Sequence, residues 1–182
     1  VTAQSVNVPR TVVMEQFVSA NNGDSPDAQE KALALSSSSL IVVNVHHADS
    51  FELATAATLI SDYKTNSSTA MMDRYYFSDL NQVAISKSQY TPKSSKRIAA
   101  VSPASVSIIN KAYNNNTNEL TFSVKADFVG EVKGDYRINA YLVENNVYGK
   151  VSDTTVNGFN QLNNYYSVSW SQYYQKGYFS PT

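Results

Sequence analysis

The chain has 182 residues, of which 42% are hydrophobic and 16% charged, and its 14 basic and 15 acidic side chains give a net charge of −1. Nucleic-acid binding as a main function is excluded on this balance, because it requires clustered positive charge. The absence of cysteine excludes disulfides, zinc–thiolate sites, iron–sulfur clusters and thiol nucleophiles. No apolar run approaches the roughly 20 residues of a membrane-spanning helix.

The first elements alternate between strand and helix patterns. Residues 11–17 contain a short apolar run that predicts a buried strand, and residues 19–24 are rich in turn-forming residues. Ser25 is predicted to cap a helix that begins at Pro26, where a missing N–H carries no penalty. The apolar stripe of this helix extends to about Leu35.

A second strand and a second helix follow. The near-continuous apolar run of residues 40–45 predicts a strand that is covered on both faces, as in a parallel sheet. Ser50 is predicted to cap a helix over residues 51–63, in which apolar residues recur at helical spacing. These are Leu53, Ala56, Ala57 and Ile60.

The alternation of strand-like and helix-like patterns is weaker over about the next forty residues. Residues 69–77 predict a third strand, and Ser78 or Asp79 is predicted to cap a helix that reaches about Gln89. The stretch 90–104 contains two prolines with several serines and lysines, which predicts a linker. We therefore place a domain boundary near residue 100, between domains of residues 1–100 and 101–182.

The second half has a different periodicity. Residues 120–128 alternate between apolar and polar side chains, which predicts an amphipathic strand of an antiparallel sheet. Residues 106–113 and 136–143 predict further strands, with turns at 114–117 and 144–146. The predicted fold is thus α/β plus all-β, with a β-sandwich-like antiparallel domain after the first domain.

The sequence Val12-Val-Met-Glu-Gln-Phe-Val-Ser19, followed by a loop, Ser25-Pro26 and a helix, resembles the outer membrane protein 28 family of Bacteroides-type bacteria. In that pattern a strand ending in Glu-Glu-Phe-Thr-Gly precedes Cys-x-x-Cys-Pro. Here Asn22 and Ser25 stand at the two cysteine positions. Residues 69–74 look like the segment after the cis-proline of thioredoxin folds, so Ser68 stands at the proline position.

The resemblance implies a thioredoxin-like N-terminal domain, a β-rich C-terminal region that ends before the family's usual end, and export to the cell envelope. The location would be outer membrane-associated, periplasmic or cell surface. The chain begins at Val1 without an initiator Met, so we expect a removed upstream segment, through which peripheral or anchored membrane association would occur.

The replaced cysteines exclude thiol redox chemistry, which requires a thiolate. We therefore expect a non-catalytic protein that binds a protein or glycan at the envelope, without metal or cofactor. Two alternatives stay open: a hydrolase in which Ser25 acts with His46 or His47, and a purely structural surface module. The oligomeric state is not predicted.

For two sets of polar residues we favour a structural role over a role in binding a metal ion. His46 and His47 are adjacent on a predicted strand and point to opposite faces, so structural roles are favoured over a shared metal. The oxygen-rich residues 21–24 with Asp27 favour turns and capping over calcium binding. We expect Glu15 to be hydrogen-bonded or to lie at the edge of the sheet.

The C-terminal region is rich in aromatic residues. Large rigid rings can form a binding face for sugars or proteins. Packing in a core is the favoured alternative for these side chains. The candidate binding aromatics are Tyr165, Tyr166, Trp170, Tyr173 and Tyr174.

Overall fold

The computed structural model describes residues 8–145 and 147, which form a mixed α/β structure with two sheets. The strands are β1 Val12–Val18, β2 Leu40–His46, β3 Thr69–Met72, β4 Ile85–Ser86, β5 Ala104–Asn114 and β6 Glu119–Phe128. The helices are α1 Ser25–Leu33, α2 Ala54–Tyr63 and α3 Tyr90–Ile98, with a short 3₁₀ turn at Lys87–Gln89. Two compact units divide these elements. Among the described residues, one unit contains residues 11–98, 143–145 and 147, and the other contains residues 8–10 and 99–142.

The first sheet has the strand order β2-β1-β3-β4. Strands β1 and β2 are parallel and pair from Val12↔Leu40 to Val18↔His46 without a register shift. Strand β3 pairs antiparallel with β1, and β4 pairs antiparallel with β3. A parallel pair needs a crossover between its strands, and α1 supplies it.

Strand β1 lies inside this sheet and is buried on both faces. Val12 and Met14 pack in one core cluster with Ala28 and Ala32 of α1, because alternate side chains of a strand point to the same side. Phe17 belongs to a second cluster on the other face, which includes Ala56 and Ile60 of α2 and Met71 of β3. The apolar run of β1 therefore predicts its position correctly.

Strand β2 corrects one sequence-based prediction. Its residues match the predicted strand and its parallel pairing, but it lies at the edge of the sheet and is only partly covered on each face, with Val42 packed against one core cluster and Val45 against the other. Leu40 is fully buried, whereas Ile41 is 51% exposed and the rest of the strand is half-buried. An apolar run of this length is compatible with an edge strand as well as a central one, so the sequence pattern could not separate the two.

The second helix is shorter than predicted. Helix α2 begins at Ala54 with Leu53 at the N-cap position, and not at Phe51 after Ser50. The Phe51 N–H is bound instead by the Asp49 carboxylate, which holds this segment in a loop. Only Ala56 and Ile60 of the predicted stripe are buried, and Leu53 is exposed.

The third helix lies where the linker was predicted. The helix predicted over residues 79–89 is also wrong. That segment contains β4 and the 3₁₀ turn. Helix α3 forms because Tyr90 is buried in the core and Lys93 pairs with Asp79. Its proline lies in the first helical turn, where it removes no intrahelical hydrogen bond.

Strand β3 ends five residues earlier than predicted. Asp73 and Arg74 have positive φ angles of 51° and 49°, which turn the chain away from the sheet. The turn is held by charge. The Arg74 guanidinium donates to both Glu15 carboxylate oxygens at 2.7–3.1 Å, and Arg97 pairs with Asp73 at 3.0 Å. The prediction that Glu15 is hydrogen-bonded is confirmed.

The unit of residues 8–10 and 99–142 is built on the β5–β6 hairpin. Its pairing runs from Ala104↔Phe128 to Asn114↔Glu119, with an irregularity between Ile109 and Ala112, and this confirms both predicted strands and their turn. Residues 136–143 do not form the predicted strand. The Tyr136 ring packs against Phe128 of β6 at 5.6 Å, but no described strand pairs with residues 136–143 through its backbone, and a strand needs such a partner for its backbone groups. The predicted turn at 144–146 extends outside the described residues.

Within residues 8–145, no helix combines the length and the apolar character that a membrane crossing would require.

The Glu15–Arg74 pair provides a stability test, because the Glu15 side chain is 3% exposed and the loss of one partner leaves a buried charge unpaired. We expect Arg74→Ala to lower the free energy of unfolding by about 2–3 kcal/mol in urea denaturation, because it takes the guanidinium partner away from the buried Glu15 carboxylate. Lys31→Ala is the control, since its ion pair with Asp27 is surface-exposed and should contribute below about 0.5 kcal/mol. Equal losses in the two variants would contradict this assignment.

Candidate functional site

The candidate site lies at the edge of the first sheet where β1 and β2 end. Parallel strands place their carboxyl ends at the same edge, and ligands of open α/β sheets bind outside those ends. The loops after β1 and β2, residues 19–24 and 47–53, therefore meet here. Ser68, which precedes the antiparallel strand β3, reaches the same edge because its N–H donates to the Phe17 carbonyl at 2.8 Å.

The segment from Asn22 to Ser25 forms a closed turn. The Ser25 N–H donates to the Asn22 carbonyl at 3.0 Å, and the Asp24 N–H donates to Asn22 Oδ1 at 2.9 Å. Asp24, and not Ser25, is the N-cap residue of α1, so this detail of the prediction is wrong. Pro26 lies in the first turn of the helix as predicted.

The Ser25 hydroxyl forms a hydrogen bond within the loop and does not cap the helix. Its Oγ accepts a hydrogen bond from the Ser19 N–H at 3.0 Å, and the residue is 1% exposed. Neither histidine ring hydrogen-bonds Ser25 within the described residues. The structure therefore does not bring together the nucleophile and base of the hydrolase alternative.

His46 is held by a buried carboxylate that sequence reasoning missed. Asp49 Oδ2 lies 2.7 Å from His46 Nδ1 and also accepts the Ala20 N–H at 2.7 Å. Its other oxygen accepts the Phe51 N–H at 2.9 Å, and the Phe51 ring lies 4.9 Å from the imidazole. One side chain thus ties the loop after β1 to the loop after β2.

The Asp49 carboxylate is stabilised in its charged form. Burial by itself would raise its pKa, but the hydrogen bonds from His46 and from the N–H groups of Ala20 and Phe51 outweigh burial and lower the pKa. The only sequence signal for this role is an aspartate two residues before Phe51. Aspartate commonly binds the backbone N–H two residues onward.

His47 has a different partner. Its Nδ1 lies 3.6 Å from Glu52 Oε2, and the same carboxylate accepts the Ala48 N–H at 2.6 Å. The two histidines therefore lie beside different acidic residues, which agrees with the opposite directions of adjacent side chains on a strand. Across the described ranges, no three histidine or acidic side chains form a group that could hold a metal ion.

The oxygen-rich loop is used for turns and ion pairs. Asn21 Nδ2 donates to the Ala48 carbonyl at 2.7 Å. Asp27 binds Lys31 and Lys87, each at 2.7 Å. Burial acts against these contacts, but the two ammonium groups lower the Asp27 pKa overall. These contacts match the turn part of the preferred interpretation, whereas the Asp24 side chain at the N-cap makes no capping hydrogen bond to α1.

Ser68 occupies the predicted proline position in an unusual conformation. Its φ is +72°, and no peptide bond is cis anywhere in the described segment. The Ser68 carbonyl accepts the Tyr90 hydroxyl at 3.3 Å. Its Oγ is buried without a hydrogen-bond partner among the described residues. Ser68 and Ser25 are thus both bound to the end of β1, through Phe17 and Ser19 respectively.

The aromatic candidates Tyr165, Tyr166, Trp170, Tyr173 and Tyr174 lie outside the described residues. They stay a prediction from sequence.

Comparison with family models, with curated proteins and with solved structures found no match to this chain.

The Asp49 contacts predict a pH-dependent stability. A lowered folded-state pKa adds stability that is complete well above the unfolded value of about 3.9 and is lost as pH falls through the folded value. We expect Asp49→Asn to lower the free energy of unfolding by about 2 kcal/mol at pH 7. This difference from the unsubstituted protein should narrow below about pH 4 in urea titrations.

Asp62→Asn is the control for this experiment, because Asp62 is an exposed residue of α2. We expect it to leave stability within about 0.5 kcal/mol at every pH. A constant difference between Asp49→Asn and the unsubstituted protein down to pH 2 would show that the Asp49 charge is not the source of the effect.

Proposed function

We propose that this chain carries a redox-inactive, thioredoxin-like unit that acts by binding a protein or glycan, and that it does so in the cell envelope. The observation that carries the proposal is the turn from Asn22 to Ser25. Its geometry suits a Cys-x-x-Cys motif, yet both side chains at the two positions are committed to hydrogen bonds inside the loop.

Topology supports the thioredoxin-like part of the proposal. The order β2-β1-β3-β4, with β1 and β2 parallel and the other pairs antiparallel, provides the frame in which a dithiol would sit at the start of α1. Ser68 then lies opposite that position, at the amino end of β3. The envelope location and the outer membrane protein 28 likeness rest on the sequence resemblance.

The loops support the binding part. Loops whose backbone and polar groups are already fixed favour binding, because they lose less conformational entropy when the partner binds. Asp49 fixes Ala20 and Phe51, and Asn21 fixes Ala48. The edge is therefore organised by hydrogen bonds before any partner binds.

A hydrolase is the second candidate, and the His46–Asp49 pair is the observation in its favour. A carboxylate on one imidazole nitrogen orients the ring as in a catalytic triad. A triad also needs a nucleophile beside the other nitrogen. The Ser25 Oγ is buried against the Ser19 N–H, so binding is the better-supported function.

The double variant Asn22→Cys/Ser25→Cys tests whether these two positions have the geometry of a thioredoxin-like Cys-x-x-Cys motif. The 3.0 Å hydrogen bond between Asn22 and Ser25 closes a four-residue turn whose ends lie within about 7 Å, and disulfides span about 4.4–6.8 Å between Cα atoms. We expect an intramolecular disulfide by thiol labelling and mass spectrometry, together with measurable insulin reduction by the reduced protein.

Each single cysteine variant is the control, since the unsubstituted chain has no cysteine and a lone thiol cannot form this ring. Absence of the disulfide in a folded double variant would contradict the thioredoxin-like frame. The binding proposal would survive that result, because it depends on the loop contacts and not on the ancestry of the fold.

Binding at the edge is tested with Asn21→Trp, which places a large ring on an exposed rim residue. Envelope extract is passed over immobilised protein, and the retained components are identified. We expect Asn21→Trp to lose at least tenfold of the specifically retained material. Ser36→Trp should retain it, because Ser36 is exposed in the turn before β2, at the opposite end of the parallel strands.

Identical retention by both variants would remove this edge from consideration as the binding site. Esterase activity that disappears in a folded Ser25→Ala variant would support the hydrolase candidate instead. Ser25→Ala leaves the buried Ser19 N–H without its acceptor and should cost about 1–3 kcal/mol of stability, so the assay must be run below its unfolding temperature.

A further inference from the structure

The outer edge of β6 is unpaired in the described part of the chain, because β5 and β6 form a sheet of only two strands. At the open end of this hairpin the Val129 N–H donates to the Pro103 carbonyl at 3.1 Å. Hydrogen-bonded pairs alternate along an antiparallel ladder, so the odd-numbered residues of β6 near this end bond β5. The N–H and C=O groups of three even-numbered residues therefore point away from β5. These are Val124, Ala126 and Phe128.

The segment of residues 136–142 has the side-chain pattern of a strand without the pairing of one. Its even-numbered residues are apolar or aromatic, and Arg137 and Asn139 alternate with them. Leu142 is 89% exposed. Residues 136–140 form no backbone–backbone hydrogen bond with any described residue. The segment therefore has one apolar side, and pairing with a strand would satisfy its backbone groups.

One contact between the segment and β6 defines a register. The Tyr136 ring packs edge-on against the Phe128 ring, with their centroids 5.6 Å apart, and side chains that lie directly opposite on antiparallel strands are within such a distance. With Tyr136 opposite Phe128, the even-numbered residues of the segment continue along the even-numbered residues of β6. The further pairs are Ile138 with Ala126, Ala140 with Val124 and Leu142 with Phe122. This register joins the two apolar sides on one face, and it meets β6 at the residues whose backbone groups point outward.

Charge on the other face supports the same register. It places Arg137 opposite Asp127, and opposite charges in directly facing positions stabilise an antiparallel pair. In the described conformation Arg137 is paired with its neighbour Asp135 at 2.7 Å, and Asp127 with Lys125 at 2.8 Å, all four side chains being more than half exposed. The register follows from the ring contact alone, so this charge match is an independent observation.

We propose that the outer edge of β6 is a docking surface for residues 136–142 of the same chain, which close onto it as an antiparallel third strand. The described conformation, in which the segment is unpaired, is then the open one. The closed conformation is favoured because a sheet of three strands with an apolar face is stable where a lone hairpin is marginal.

The connection between β6 and the segment explains why the occupant is intramolecular. Residues 129–135 are short enough to keep the segment beside the edge, and the contact of Tyr136 with Phe128 is already made. Gly134 has a φ of +126°, which residues with a Cβ rarely adopt, so the chain can reverse here. Closure also covers a strand edge that would otherwise be open to pairing with other chains. This docking is independent of the proposed binding function of the first sheet.

Paired cysteines give the first test, in a chain with no native cysteine. Opposite residues that are not hydrogen-bonded have Cα atoms about 4.5 Å apart, which a disulfide spans. We expect mild oxidation of Asp127→Cys/Arg137→Cys to form an intramolecular disulfide. The control Asp127→Cys/Asn139→Cys, on the same face but out of register, should oxidise at least tenfold more slowly. Equal rates, or a covalent dimer in place of the intramolecular bond, would overturn the proposal.

Hydrogen exchange of the unsubstituted chain gives the second test and requires no variant. The outward amides of Val124 and Ala126 should be protected in the closed conformation, as the Lys125 amide is by its bond to β5. Fast exchange of Val124 and Ala126 beside a protected Lys125 would show a bare edge. Protection that rises with protein concentration would show that a second copy covers the edge. Either result would overturn the proposal.

Charge exchange identifies the segment that covers the edge. Arg137→Asp should reduce the protection of the Val124 and Ala126 amides at least fivefold, because like charges directly opposite each other repel. The double variant Asp127→Arg/Arg137→Asp should restore it, and the Lys125 amide should stay protected throughout. Unchanged protection in Arg137→Asp would mean that a different segment covers β6. That outcome, or no recovery in the folded double variant, would overturn the proposal.

Discussion

The parallel pairing of β1 with β2 is the constraint on which the rest of the first unit depends. Parallel strands cannot be joined by a tight turn, so α1 must cross from the end of β1 to the start of β2. The crossover brings the start of α1 and the loop after β2 to one edge. The same pairing uses one side of β2, which is an edge strand among the described strands. The candidate site therefore has its origin in this pairing.

Hydrogen bonds and ion pairs of charged side chains hold the loops that the backbone pairing of the strands does not fix. Asp49 ties the two loops at the carboxyl ends of the parallel strands, and Glu15 with Arg74 holds the turn at the end of β3. Both acids are buried and both have strong partners, which is the condition under which buried charge is tolerated. Loops that are ordered in this way lose less conformational entropy when a partner binds, which is consistent with the proposed binding role.

Under the proposed thioredoxin-like assignment, Asn22 and Ser25 stand where the reactive cysteines would lie. A thiolate at the start of a helix is reactive because the helix end favours its charge. Here Asn22 and Ser25 close the same turn through neutral hydrogen bonds. The proposed loss of redox function therefore leaves the local geometry intact and frees the edge for a different use.

Sequence by itself determined the local elements with strong patterns. The apolar runs of β1 and β2, the proline at the start of α1 and the alternation of β6 each reflect a local rule of burial, dihedral angle or side-chain direction. Tertiary structure alone decided the edge position of β2, the role of Asp49 and the existence of α3. Each of these depends on a partner distant in sequence, such as Ala20 for Asp49 and Asp79 for Lys93. No local pattern encodes which distant groups will meet, because that is settled only when the sheet assembles.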